Sequence, residues 1–99
     1  MESIHEKIQM QAHIAAAVLI DTIQDADKIN GNEICKNLAR NLMINNEDVS
    51  SYVGDASRIL DVDIFDIIDI YFWAAARTAL LGVAREQKIQ IKISKFPQK

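Results

Sequence analysis

Residues 63–87 read DIFDIIDIYFWAAARTALLGVAREQ, the longest apolar run in the chain and the place of its only tryptophan. Ile64, Ile67, Ile68, Tyr71, Ala74, Ala75, Thr78 and Leu81 recur at steps of three and four, the spacing that sets side chains on one face of a helix. Asp63 or Asp61 can cap its start by accepting from free N–H groups. Arg85 lies in the last turn, where a cation suits the helix dipole. Such a helix is about 36 Å long, enough to span a small domain.

Its reverse side carries Phe65, Phe72, Ala76, Ala79, Leu80 and Val83. A helix that is apolar nearly all round is buried on most sides. About 20 apolar residues also suffice to cross a bilayer. Asp66, Asp69 and Arg77 oppose that reading, since each costs on the order of 3 kcal/mol near the bilayer centre. The expectation is a buried bundle or dimer helix and no membrane.

Asp69, Trp73 and Arg77 follow one another at steps of four and share a stripe. The two charges are separated by about 12 Å along the axis, too far to pair directly. Each therefore needs water, another helix or another subunit. They are either edge charges beside a half-buried indole or anchors of an interface, where Trp and Arg are over-represented.

The composition, 49% apolar and 25% charged over 99 residues, belongs to one globular domain and not to a disordered chain. One Pro and three Gly favour long helices over a turn-rich β fold. A formal net charge of −3 gives no global attraction to nucleic acid or anionic lipid. The lone Cys35 suits a reducing compartment and a core position. The opening MESIHEKIQMQ lacks the basic region and apolar run of a signal peptide, so a cytoplasmic location is expected.

Four helices are expected, over about residues 3–28, 33–44, 47–60 and 63–87. Ser3 and Glu6 form a capping box at the first. Ile4 and Ile8 edge its polar half, and Ile14 to Ile23 is nearly all apolar. Ala15, Ala16 and Ala17 face the small residues Ala74, Ala75, Ala76, Ala79 and Gly82 of the long helix, so these two helices should pack together. Gly31 suits the left-handed position after the first helix, and Asn32 the next cap. Ile34, Leu38 and Leu42, with Cys35 and Ala39, make the inner side of the second helix. Lys36, Arg40 and Asn41 make its wet side. The third helix sets Val49, Tyr52, Val53, Ala56, Ile59 and Leu60 at helical spacing, with Glu47 and Asp48 at the positive end of its dipole.

Residues 88–95, KIQIKISK, alternate Ile89, Ile91 and Ile93 with Lys88, Gln90, Lys92 and Ser94. Period two with β-branched residues predicts a strand that Pro97 ends. No second strand stands out, so the simplest partner is the same tail in another copy, across a twofold axis. The tail's lysines either blunt an edge strand or attract phosphates and acidic partners.

Residues 35–54 resemble a helix-turn-helix. Counted from Cys35, the pattern's apolar positions fall on Leu38, Leu42, Ile44, Val49 and Tyr52, and its small residue on Ala39. Met43 stands where that family has Gly. The resemblance implies a DNA-binding regulator using Lys36, Arg40, Ser50 and Ser51, helped by Lys88 and Lys92. Glu47 and Asp48, at the start of the reading helix, would be repelled by phosphates. Asp66 and Asp69, at i and i+3, resemble the acid pairs of all-helical nucleotide pyrophosphohydrolases, which implies Mg²⁺-dependent phosphohydrolysis. The first two helices lack that family's glutamate-rich motif. His5 and His13, about 12 Å apart along one helix, are too far apart to chelate one ion. No Gly-rich phosphate loop, Ser nucleophile motif or Cys–His spacing is present, so neither a cofactor nor a metal is expected.

The reading is an all-α, four-helix, single-domain protein with a short C-terminal β-strand paired between subunits. Its expected function is non-catalytic: a small regulatory, adaptor or inhibitor protein acting on another protein and on itself as a homodimer or higher oligomer. The candidate contact residues are Tyr71, Trp73 and Arg77, with Ile89, Ile91 and Ile93 as the strand edge.

Overall fold

A computed structural model describes residues 3–23 and 30–97, without the side chains of 50–54 and 56. Four helices make up most of the described chain: α1 (Ile4–Asp21), α2 (Gly31–Asn45), α3 (Val49–Leu60) and α4 (Ile64–Glu86). α4 packs against each of the other three. α4 is long and apolar enough to cross a membrane, and half of its most apolar stretch is buried inside the fold.

Local chemistry sets most helix starts. Ser3 Oγ accepts from the Glu6 N–H at 3.1 Å, and Asp63 Oδ1 accepts from the Phe65 N–H at 2.8 Å. α3 ends at Asp61, which adopts the left-handed conformation at φ 53°. Aspartate tolerates that conformation better than most residues. α1 stops at Asp21, seven residues short of the expected Lys28. There Thr22 turns its hydroxyl back to the Leu19 carbonyl at 2.7 Å. Residues 24–29 lie outside the described chain.

α1 and α4 run parallel. The Tyr71 hydroxyl sits 2.8 Å from His5 Nδ1, and Gln87 Nε2 donates to Asp21 Oδ1 at 2.8 Å. The two pairs have the same sequence offset, so the helices stay in step from end to end. Between these ties Ala12 and Ala16 of α1 and Ala76 of α4 are fully buried. The expected use of small residues is thus met, though Ala74 and Gly82 are exposed. α2 lays Cys35, Leu38, Ala39 and Leu42 into the shared core. Asn46, at the end of α2, is buried and donates through Nδ2 to Gln11 Oε1 at 2.7 Å, joining this corner to α1.

Of the face that the spacing picks out on α4, Ile68 and Ala75 are buried and Ile64, Ile67, Tyr71 and Leu81 partly so, and the burial extends to the reverse side. Phe72, Trp73, Ala76, Ala79, Leu80 and Val83 are inside, whereas Ala74 and Thr78 are exposed. A helix apolar on every side carries no periodicity strong enough to select a face; its neighbours select it. Ile59 and Leu60, at helical spacing with the buried Val49, are 82% and 64% exposed.

The C-terminal strand is absent, and no strand occurs among the described residues. After α4 the chain turns at Lys88, which takes φ 59°, and the Ile89 N–H reaches back to the Ala84 carbonyl at 2.8 Å. That is the bonding of a Schellman turn, here with lysine in the position glycine prefers. The tail then folds back in extended form along the seam between α4 and α2. The Ile93 carbonyl and both backbone groups of Ser94 bond to side chains of the same chain and not to a ladder.

Candidate functional site

The seam between α2 and α4 is where the functional candidates converge. Asn30 caps α2, its Oδ1 accepting from the Glu33 N–H at 3.2 Å. The cap is therefore Asn30 and not Asn32, and Gly31 is the first helical residue. Asn32 holds the tail instead, its Oδ1 accepting from the Ser94 N–H at 2.7 Å. From α4, the Trp73 indole N–H donates to the Ser94 carbonyl at 2.7 Å, and Arg77 Nε donates to the Ile93 carbonyl at 3.2 Å. Three side chains thus hold two successive residues of the tail. Ile93 fills the space beneath and is 7% exposed, while Ile89 and Ile91 are half-buried. Gly31 permits the approach, because a Cβ there would lie 2.3 Å from the Lys92 carbonyl oxygen.

The candidate contact residues accordingly face their own chain. Trp73 is 4% exposed. Arg77 is half-buried against the tail, and Asp69, four residues before Trp73, is exposed at the rim. Tyr71 points the other way, its ring centroid 5.5 Å from that of His5, over a small cleft of about 220 Å³ beside Ala75 and Thr78.

Below the docked tail the seam opens into a groove of about 460 Å³. Ala39, Met43, Ile70, Phe72 and Trp73 give it an apolar floor, and Phe96 and Pro97 of the tail also line it. Lys36 and Arg40 form the α2 edge; Asp66 and Asp69 form the α4 edge. The structure therefore joins the DNA-binding candidates Lys36 and Arg40 to the acid pair in one groove. Lys88 and Lys92 are exposed on the tail, and the side chains of Ser50 and Ser51 lie outside the described part of the chain. Sequence reasoning missed the roles of Asn32, Ser94 and Phe96, since nothing local marks a polar residue whose partner lies about sixty positions away. His, Cys, Asp and Glu side chains form no cluster of three able to hold a metal among the described residues.

Cys35 sits behind the groove floor, its thiol directed to the Trp73 carbonyl at 3.7 Å. Burial pushes it from 9.0 up to about 12, against the opposing pull of the Arg77 charge. Between these values the unfolded thiol ionises while the folded one keeps its proton, so the folded state binds more protons. Cys35 therefore contributes stability that is present below pH 9 and lost as pH rises toward 12. A thiol reagent should modify native Cys35 only through unfolding, and urea midpoints should fall from pH 9 upward less in Cys35→Ala than in the parent. Rapid stoichiometric labelling of the native protein would contradict this placement.

The class defined by these features is an all-α bundle whose C-terminal tail caps a two-signed groove. No protein-family model matches the chain, and no curated protein or solved structure shows significant similarity to it.

Proposed function

We propose that the chain is a small non-catalytic protein acting through protein contacts as a homodimer or higher oligomer, in the manner of a regulator, adaptor or inhibitor. One observation carries this reading. Met10, Ile14 and Val18 stand on successive turns of the outer face of α1 and are 57%, 60% and 61% exposed. Single exposed apolar residues are ordinary, but a row of three on one helix is a surface that association covers. Trp73 and Arg77 serve this function indirectly, by keeping the tail on the bundle.

Light scattering over a range of concentrations tests the reading. A mass of twice the chain or more is expected, with binding to any further partner weakened by Ile14→Asp. A monomer at every soluble concentration would count against self-association.

Exposed Lys36 and Arg40 on one edge of α2, with Lys88 and Lys92 on the tail, support a second reading as a DNA-binding regulator. The exposed Glu47 and Asp48 before α3 oppose it. Salt-sensitive binding of a duplex, lost on Lys36→Glu with Arg40→Glu, would favour that second reading. A Mg²⁺-dependent hydrolysis lost on Asp66→Asn would favour an enzyme.

A further inference from the structure

The groove between α2 and α4 has one basic edge and one acidic edge. Lys36 and Arg40 are exposed on α2, and Asp66 and Asp69 are exposed on α4. Among the described residues none of the four forms an ion pair within the chain. Between the edges lies an apolar floor, and large apolar side chains stand around it. Phe96 is 59% exposed, Ile70 44% and Val62 42%. Phe65, one turn before Asp69 on α4, is 70% exposed. Apolar at the centre with charges at the rim is the anatomy of a protein interface, and aromatic residues are enriched in such places.

A surface divided lengthwise into opposite charges complements itself. When two copies face each other with a twofold axis along the groove, the α2 edge of each lies against the α4 edge of the other. Both charge pairings then form at once, as an isologous interface requires. A nucleic acid would meet the acidic edge, and a strongly acidic or basic peptide would be repelled along one side. The occupant that satisfies both edges with the chemistry at hand is a second copy of this chain.

We propose that the two-signed groove is the face through which the chain forms a twofold dimer, with Lys36 and Arg40 of each copy opposite Asp66 and Asp69 of the other and Phe65 and Phe96 packed between them. This deepens the self-association proposed above and rests on it.

Two charge-reversal variants test it, Lys36→Glu with Arg40→Glu, and Asp66→Lys with Asp69→Lys, each checked for native helicity by circular dichroism. All four positions are exposed, so folding should survive. The parent should be a dimer that weakens as salt rises to about 0.5 M, where charges are screened within a few ångströms. Each variant alone sets like charges against like, and its dissociation constant should rise roughly a hundredfold at low salt. An equimolar mixture of the two variants restores opposite signs on both sides of the axis, so the mass should return to that of a dimer.

Two monomeric variants that fail to recombine would overturn the charge pairing. If both variants remained dimers, the groove would not be the interface, while self-association through another face, such as the Met10–Ile14–Val18 row, would stand. A monomeric parent would overturn self-association itself.

Discussion

Gly31→Val is expected to release the C-terminal tail from the bundle. Any Cβ at position 31 would stand 2.3 Å from the Lys92 carbonyl oxygen and 3.0 Å from Ile93 Cγ1. The first of these is backbone, and it cannot swing aside as a flexible side chain can. Moving it displaces the Ser94 N–H from Asn32 and Ile93 from the core, so the contacts that hold the tail fail together. Overpacking of this kind costs about 1–3 kcal/mol. The loss cannot exceed the docking energy of the tail, because the chain relieves the clash by letting the tail go. The signature is therefore specific: a lower urea midpoint, faster tryptic cleavage at Lys92 and Lys95, and Trp73 emission shifted to the red. Unchanged cleavage and emission would mean that the tail does not cross α2 at Gly31.

Trp73→Ala should cost more, about 3–5 kcal/mol, the usual range for removing a buried aromatic. Trp73 is 4% exposed, packs in the core shared by α2 and α4, and holds the Ser94 carbonyl. A domain of this size has only about 5–15 kcal/mol in total, so the variant should be close to unfolding when warmed. Trp73→Phe separates the two contributions. It keeps most of the apolar volume and loses the indole N–H, leaving the Ser94 carbonyl without that donor, at a cost of about 1–3 kcal/mol. Should Trp73→Ala fall below about 1 kcal/mol, the indole would be a surface residue able to anchor a partner. Urea denaturation of the three proteins, with helicity as the probe, decides between these roles.

The two substitutions act on the same contact from opposite sides. Gly31 contributes space and Trp73 contributes a donor, so their effects on tail docking should be less than additive. Both also bear on the groove, because Trp73 lines its floor and the tail they hold carries Phe96.

Most of the helical architecture was legible in the sequence because it rests on local chemistry. Ser3 caps α1, Asp63 rather than Asp61 caps α4, Cys35, Leu38, Ala39 and Leu42 are buried with Ile34 partly so, and Ala16 and Ala76 are buried while Ala74 and Gly82 are not. The misreadings share one cause, which is competition from groups far away in the chain. The alternation of Ile89, Ile91 and Ile93 predicts a strand, and none forms there. What it cannot reveal is whether the backbone bonds to a ladder or to side chains. Trp73, Arg77 and Asn32 take that part, and a strand pattern becomes a docked tail. Asn32 has the carboxamide oxygen that either a cap or a clamp needs; Asn30, two residues earlier, does the capping.

Local patterns in the chain establish that it is mostly helical, that it has four helices, and that residues 63–87 form the long one. Those properties depend on neighbours within a turn or two, which stand next to one another in the chain. The tertiary structure alone decided which side of α4 is buried, what covers Trp73, and that Lys36 and Arg40 stand across a groove from Asp66 and Asp69. An all-round apolar helix has no preferred face until others pack on it. Charges some thirty residues apart acquire a relation only when two packed helices bring them to one groove.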